Sequence, residues 1–426
     1  MAKINDMLKE YQIPKVAKVR QLFDDIELAD PEHELRAQLA AKNVKIAPHA
    51  RIAITGGSRG IAGYQLLMRT IVSFVREKGG EPFIVPAMGS HGGATADGQR
   101  EMLEHLGITE ETVGAPIISS MEVVEIGRTE MGFPVYVDKN AYEADGIILL
   151  NRIKTHTSIR GKHESGLVKM MAIGLAKHKG AAMTHALGVT ALGENIIRVG
   201  KVMAEKLNIL CGVATIENGY NHLAELRVMF KNEIFEEEPL MLERARKMVP
   251  RILLDDVDAL IVLEQGKDIS GTGMDPAIVG RPINRHPNEG TNVEALGVLR
   301  LTEVSGGNAC GCGLADFIPL GMRKSMIEEF MQVNATTGMI PLLAKIPITL
   351  DTEKLVFQGC MRASAQVDNE KRKLVIIRNT KYLDEVYMSK AAYESATDKR
   401  KLKLCSEYQE VPFDENGDLL LFDAKD

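Results

Sequence analysis

Short apolar runs that end in polar or glycine-rich turns constrain the fold of this chain more than any other feature of its sequence. Helical periodicity follows the first of these turns, and another helix is predicted over residues 97–106. Strands that alternate with helices predict an α/β domain with a mainly parallel sheet. The predicted strands are residues 51–55, 82–87, 145–150 and 209–215, with an antiparallel pair at 123–127 and 133–137.

Polar side chains follow three of the predicted strands, at the point where each strand ends. They are Arg59, His91 and His156. Parallel sheets bind their ligands at the carboxyl ends of the strands. The sequence therefore predicts a functional site at this edge of the sheet.

The length of 426 residues favours two domains. A charged helix over 236–249 closes the first domain, and an apolar strand over 258–263 opens a second α/β unit. That strand leads into a glycine-rich polar loop, and a late strand is predicted over 375–379. We therefore expect an N-terminal domain at residues 1–252, a C-terminal domain at 253–400, and a tail at 401–426 that packs back on the body.

The composition excludes several classes of protein. A hydrophobic share of 45% with 26% charged residues is typical of a soluble globular protein. The net charge of -6 and the lack of a long basic tract give no reason to expect nucleic-acid binding. No apolar run is long enough to span a bilayer, and the first residues do not resemble a signal peptide. These features favour a cytoplasmic protein.

The five cysteines do not form a recognisable pattern. Their number is odd and no pair has CxxC spacing, so we expect neither a disulfide framework nor an all-cysteine zinc site. Reduced thiols agree with a cytoplasmic location. Cys310 and Cys312 lie in a glycine-rich run, which is most often tight packing of small residues, although a thiolate role stays open.

Residues 151–185 contain Lys169 and four of the ten histidines. Lys169 lies on a helix predicted over 164–178, among small and apolar neighbours. A lysine desolvated there would have a lowered pKa and act as a nucleophile, whereas one that reaches water would not. His185 is either a cap or a metal ligand, and no HExxH motif occurs. His163 and His178 lie among Arg160, Lys162, Lys177 and Lys179, and they are interpreted as solvated or as supporting the site residues from behind.

The first glycine-rich turn, residues 55–62, is similar to the nucleotide-binding turn of short-chain dehydrogenases. Ala62 replaces the last glycine of that pattern. The tyrosine and lysine that such enzymes need downstream have their only match at Tyr11 and Lys15, upstream of the turn. A lone glycine-rich turn is weak evidence, and a tight turn that needs positive φ angles explains it equally well.

The ordered set of these segments resembles the nickel-dependent lactate racemase family. Its members carry a nickel-pincer nucleotide, a pyridinium mononucleotide whose sulfur arms grip nickel. The family has an arginine after the first strand turn, which Arg59 matches, and a histidine in a Gly-x-His turn, which His91 matches. A second histidine follows the next parallel strand, as His156 does.

The resemblance continues in the histidine-rich segment. The family has a lysine in a glycine-rich helix start, which Ser165-Gly-Leu-Val-Lys169 matches, and a histidine sixteen positions further on, which is His185. The resemblance covers residues 51–215 well and the second domain loosely. Gly56 stands where the family's racemases carry an aspartate, and this difference suggests a 2-hydroxy acid other than lactate.

The resemblance implies a lactate racemase-like fold and an isomerase, either a racemase or an epimerase of a 2-hydroxy acid. It would act by reversible hydride transfer to the nickel-pincer nucleotide, and cofactor maturation enzymes would be its partners. A cofactor-free binding protein of the same fold and an NAD(P) oxidoreductase remain the alternatives. The implied site residues are Lys169 for covalent cofactor attachment, Gly166 and Arg59 for further cofactor contacts, His185 for nickel, His91 and His156 for proton transfer, and Arg59 with Lys267 or Gln265 for the substrate carboxylate.

Overall fold

The computed structural model describes residues 2–156, 159–185, 189–283 and 290–422. Two compact units make up the chain. The first, which we call the histidine unit, is Asp24–Val249, and the second, which we call the terminal unit, combines Met1–Phe23 with Pro250–Asp426.

The described residues form helices and strands throughout both units. The helices are α1 (Ala2–Leu8), α2 (Pro31–Ala41), α3 (Tyr64–Glu77), α4 (Ala96–His105), α5 (Glu110–Val113), α6 (Lys139–Tyr142), α7 (Leu167–Lys169), α8 (Lys177–His185), α9 (Val189–Lys206), α10 (Ile234–Met248), α11 (Leu320–Ser325), α12 (Glu328–Thr337), α13 (Glu353–Ala363) and α14 (Lys390–Glu394). The strands are β1 (Val16–Gln21), β2 (Arg51–Gly56), β3 (Glu81–Pro86), β4 (Val123–Arg128), β5 (Pro134–Asp138), β6 (Gly146–Arg152), β7 (Ile209–Glu217), β8 (Leu223–Met229), β9 (Asp256–Gln265), β10 (Asn292–Leu301), β11 (Phe317–Pro319), β12 (Ile348–Leu350), β13 (Leu374–Ile377), β14 (Glu385–Ser389) and β15 (Leu402–Leu404).

The histidine unit is built on a five-stranded sheet in the order β3-β2-β6-β7-β8, in which only β8 is antiparallel. Successive residues of a strand point to opposite faces, so each central strand contributes to two cores. Ile54 and Ile148 pack in one core with α2 and α3, whereas Ala53 and Leu149 pack in the other with α9 and α10. Helices cover both faces, as expected for a parallel sheet.

The terminal unit contains an eight-stranded sheet in the order β12-β11-β10-β9-β13-β14-β1-β15. The first five strands run parallel, and the last three pair antiparallel. Its central strand β9 also feeds two cores, with Leu260 and Val262 on one face and Ala259 and Ile261 on the other. The prediction of two α/β domains with mainly parallel sheets is confirmed.

The N-terminal residues depart from the expected first domain of residues 1–252. Strand β1 pairs with β14 and β15, so it completes the sheet of the terminal unit. The division at Val249 and Pro250 nevertheless falls close to the expected boundary. The described part of the tail packs on the same unit through β15 and through the buried side chains of Leu419 and Leu421.

The helix predicted over 164–178 is broken in the structure. A short turn, α7, leads into a π-helical segment at Met170–Leu175, and α8 begins only at Lys177. Lys177 has a φ of 53°, which ends the regular helix. Gly174 explains the tight packing of the break, since a Cβ there would lie 2.6 Å from the carbonyl oxygen of Ala87. None of the helices in the described part of the chain could cross a membrane.

Strand β6 lies in the middle of the histidine unit's sheet, so its apolar side chains should dominate the stability of that unit. Ile148 is completely buried. We expect Ile148→Ala to lower the free energy of unfolding by about 2–5 kcal/mol, because it leaves a cavity in a packed core. Urea denaturation followed by circular dichroism measures this change. Leu240→Ala is the control because Leu240 is 51% exposed, and an equal loss there would contradict the prediction.

Candidate active site

The three residues predicted at strand ends follow neighbouring parallel strands. Arg59 comes after β2, His91 after β3 and His156 after β6, and these strands are adjacent in the sheet. Parallel register places all three chain segments at the carboxyl edge of the sheet. The order and direction of the strands alone therefore bring the three segments to one edge of the sheet.

His156, Lys169 and His185 lie close enough to influence one another's protonation. Burial lowers the pKa of His156 well below its usual value, and the charges of Lys169 and then Lys154 and His185 lower it further. Burial and Lys169 likewise lower the pKa of His185. Both imidazoles are therefore neutral at pH 7, which is the form that binds metals and accepts protons.

Lys169 carries an unusually acidic ammonium group. Burial, followed by the charge of Arg59, lowers its pKa to about 7. The structure thus favours the desolvated lysine over one that reaches water. At neutral pH a large fraction of its side chain is the free amine, which is the nucleophilic form.

Arg59 acts on Lys169 and also on a second arginine, Arg152, and the two arginines have different surroundings. Arg152 forms an ion pair with Glu217, and burial together with Arg59 lowers its pKa to about 10. Arg59 has its pKa lowered by burial, and no carboxylate pairs with it within the described residues. By accessible surface Lys169 is half-buried and Arg59 is exposed, so the guanidinium can be reached from solvent. Such a group suits a carboxylate or phosphate ligand.

A hairpin-like loop brings His156 towards Lys169. Lys154 and Ser165 exchange two backbone hydrogen bonds of 3.1 and 3.2 Å, which close the loop between them. Within it, the backbone N–H of His156 donates to Glu164 Oε2 at 2.7 Å. Glu164 is buried and also accepts from Arg246 at 2.7 Å, so it fixes the backbone of His156 from inside the protein.

The start of the helical segment is held by Glu238. Its Oε2 accepts from the N–H groups of Leu167 and Val168 at 2.6 and 3.0 Å, and its Oε1 lies 2.8 Å from His163 Nδ1. Gly166 permits this approach, because a Cβ there would lie 2.6 Å from the carboxyl carbon of Glu238. This contact buries His163, so of the two expected alternatives it supports the residues of the site from behind and is not solvated, whereas His178 is exposed.

The two candidate bases have different tautomers. His91 Nδ1 lies 2.8 Å from the carbonyl oxygen of Met88, which only accepts, so this nitrogen carries the proton and Nε2 keeps its lone pair. His156 Nδ1 accepts from the N–H of Ile159 at 3.2 Å, so the neutral ring carries its proton on Nε2. The His91 side chain is exposed, and the described part of the loop after it leads into α4.

The glycine-rich turn after β2 uses its amides within the protein. The N–H of Gly57 donates to Tyr64 Oη at 2.6 Å, and that of Ala62 donates to Glu217 Oε1 at 2.8 Å. These amides are therefore not available to a pyrophosphate. The only upstream tyrosine and lysine match for a dehydrogenase, Tyr11 and Lys15, belongs to the terminal unit.

The remaining predicted residues lie in the terminal unit. Gln265 is completely buried, and its amide donates to the carbonyl oxygen of Ala309 at 3.2 Å. Lys267 Nζ donates to the carbonyl oxygen of Gly271 at 2.8 Å. Burial raises the pKa of the thiols of Cys310 and Cys312, the latter to about 12, which favours tight packing over a thiolate role.

Comparisons with known proteins give a partial match. The family described as "Domain of unknown function (DUF362)" matches residues 46–231, which is less than half of the chain. No curated protein matches it. A protein of Thermotoga maritima solved by the Northeast Structural Genomics Consortium is 13% identical, with 94% of this chain and 97% of that chain covered and a TM-score of 0.49. The lactate racemase apoprotein of Thermoanaerobacterium thermosaccharolyticum is 13% identical, with 90% and 91% covered and a TM-score of 0.47. Likenesses this remote carry no argument about activity.

Gly166 should be irreplaceable if Glu238 holds the helix start. We expect Gly166→Ala to displace the carboxylate and to leave the amides of Leu167 and Val168 without acceptors, at a cost of about 1–3 kcal/mol in stability. Urea denaturation and hydrogen exchange at these two amides measure the effect. Gly60→Ala is the control, since its Cβ would meet only Leu106 Cδ2 at 3.7 Å. Equal stability of the two variants would contradict the role of Glu238.

The lowered pKa of Lys169 predicts a distinctive reactivity. In protein prepared without cofactor, its amine should react with an acylating reagent with a midpoint near pH 7, as its pKa of about 7 requires. Ordinary lysines titrate at about 10.4. Arg59→Gln should move the midpoint to higher pH, because it removes a positive charge that disfavours the ammonium. Peptide mass spectrometry across a pH series measures the midpoint in the unsubstituted protein and in Arg59→Gln, with the exposed Lys201 as internal reference. A midpoint of Lys169 equal to that of an ordinary lysine would refute its lowered pKa.

Proposed function

We propose that the protein is a racemase or epimerase of a 2-hydroxy acid and uses a nickel-pincer nucleotide bound in the histidine unit. The observation that carries the proposal is the cluster of His156, Lys169 and His185. It combines two neutral imidazoles with a lysine that is partly free amine at neutral pH. The unpaired Arg59 beside it supplies the positive charge that a substrate carboxylate requires.

The donor groups of this site fit the proposed cofactor. Among the described residues, no three histidine, cysteine, aspartate or glutamate side chains are placed to hold a metal ion together. A metal that is already bound by the sulfur atoms of its cofactor needs fewer ligands from the protein, and one neutral imidazole suffices. His185 would supply that ligand, and the free amine of Lys169 would form the covalent attachment. Imidazole and soft sulfur are donors that nickel accepts.

Reaction at C2 of a 2-hydroxy acid requires a way around its weak acidity. When bound, a nickel-pincer nucleotide supplies a centre that takes up and returns hydride. The protein's part is to bind the carboxylate at Arg59 and to move the hydroxyl proton. A substrate that lost both its hydroxyl proton and its C2 hydride would become a 2-keto acid. Return of the hydride to the opposite face of the carbonyl, with a proton returned to its oxygen, would invert the configuration.

The hydrogen bonds of the two histidines assign them unequal starting roles. His91 keeps a lone pair on Nε2 and is ready to accept the hydroxyl proton. His156 presents an Nε2–H group, which donates to the substrate oxygen. It becomes a base only after it releases the amide of Ile159. Gly56, which stands in place of the family's aspartate, favours a substrate other than lactate.

Substitution of each histidine should separate metal binding from proton transfer. In protein matured with the cofactor-building enzymes, His185→Ala should lose nickel. His91→Ala and His156→Ala should keep nickel and lose turnover by roughly 10²–10⁴-fold, as expected for a missing acid or base. Metal analysis and the optical rotation of a panel of 2-hydroxy acids measure the two properties, and the Lys169 peptide of the unsubstituted protein should gain the cofactor's mass.

His178→Ala is the matched control, because this exposed histidine belongs to the same segment. It should retain both nickel and activity. Full activity of the His91→Ala, His156→Ala double variant would refute the roles of these residues. Colourless, nickel-free protein after maturation would instead favour a cofactor-free binding protein, and binding of NAD(P) would favour an oxidoreductase.

A further inference from the structure

Lys177 is completely buried although it carries an ammonium group, and the proposed reaction makes no use of it. Its Nζ lies 2.6 Å from the carbonyl oxygen of Pro86, 3.0 Å from Gln99 Oε1 and 3.2 Å from Asp138 Oδ2. These partners belong to the end of β3, to α4 and to the end of β5. One ammonium group therefore joins three elements that are distant in the sequence.

The partners of Lys177 hold the loop that carries His91. Pro86 is the last residue of β3, where this loop begins. Gln99 is also completely buried, and its Nε2 donates to the carbonyl oxygens of Gly89 and His91 at 2.9 and 3.3 Å. Lys177 contacts the start of the loop directly and is linked to its middle, at Gly89 and His91, through Gln99.

The same loop contacts the segment between Lys169 and His185. The N–H of Gly89 donates to the carbonyl oxygen of Gly174 at 3.1 Å, three positions before Lys177. The positive φ of Lys177 separates the π-helical segment from α8, which ends at His185. Lys177 thus lies at the junction of the chain segments that carry His91, Lys169 and His185.

A buried ion pair is an expensive way to stabilise a fold. Asp138 is completely buried like Lys177, and apolar residues of similar volume often stabilise a core as well or better. The bonds of Lys177 have a more specific outcome, because they hold the carbonyl oxygen of Pro86 and orient the Gln99 side chain, whose own amide bonds the loop at Gly89 and His91. Directional bonds fix a loop's orientation, which apolar packing does not.

We propose that Lys177 is a positioning residue that, together with Gln99, fixes the His91 loop so that His91 Nε2 faces the reacting oxygen. The proposal rests on the proposed function, in which His91 accepts the hydroxyl proton. Asp138 neutralises the ammonium and orients it. Without Lys177, Pro86 and Gln99 would lose a shared partner, and the loop would hold His91 Nδ1 less firmly against the carbonyl oxygen of Met88.

Two substitutions test this role. Lys177→Met keeps the length of the side chain and removes the ammonium, while Gln99→Met removes the link to the loop and leaves the Lys177–Asp138 pair in place. Each should speed hydrogen exchange at residues 87–95 by about tenfold or more, as for a loop that opens locally, without the same change in β7. The ¹⁵N spectrum of the His91 ring should change from a single Nδ1–H tautomer to a mixture. Lys201→Met, at an exposed lysine, is the control.

Activity provides the second measurement. Both variants should keep nickel and the modified Lys169, and kcat should fall about 100-fold with KM nearly unchanged, as expected when a catalytic group is misplaced. Exchange and His91 spectra identical to those of the unsubstituted protein would overturn the proposal, as would faster exchange spread evenly over the histidine unit. If Lys177→Met does not fold, the exchange and spectra of Gln99→Met alone test the positioning role. Hydrogen exchange and the His91 spectrum can be measured without turnover. If the unsubstituted, matured protein has no activity and the variants still show the expected changes, the proposed function is refuted and the positioning role of Lys177 stands.

Discussion

The contact between Glu238 and the chain at Gly166 is the interaction on which the candidate site depends. A single carboxylate satisfies two backbone amides at the start of the helical segment and binds His163. Unpaired amides at a buried helix start are costly, so this acid sets where the segment begins. Asn151 adds a second tie at the same place by donating to the carbonyl oxygen of Gly166 at 2.7 Å. The position of Lys169 follows from these bonds.

The two buried carboxylates near the site are directed away from its basic groups. Glu238 binds backbone amides and His163, and Glu164 binds the His156 amide and Arg246. Neither neutralises Lys169, and burial therefore acts on its ammonium without compensation. The same arrangement keeps the imidazoles uncharged. The acids that position the backbone are thus distinct from the basic groups, which allows a rigid site to keep its imidazoles uncharged and Lys169 partly as the free amine.

The sequence predicted those features that depend on neighbouring residues. Strand periodicity and glycine-rich turns are local, so the strands that carry Arg59, His91 and His156 were assigned correctly. Glu238 could not be recognised, because it lies among other acids of a charged helix and its partners are about 70 positions away. The sequence predicted no role for Lys177 for the same reason, since its partner Pro86 is 91 positions away. The break in the helix after Lys169 accompanies that tertiary contact and the close packing of Gly174 on Ala87.

The pairing of β1 with β14 and β15 has a consequence for how the chain folds during synthesis. The histidine unit is one continuous stretch of sequence, and along the chain it separates the two segments of the terminal unit. It can collapse as soon as residue 249 has left the ribosome, whereas Val19 must wait for Val386 and Leu404. Until then the first strand is an unpaired edge with apolar side chains, which is a feature prone to association. The histidine unit is therefore completed first, and the two parts of the terminal unit pair last.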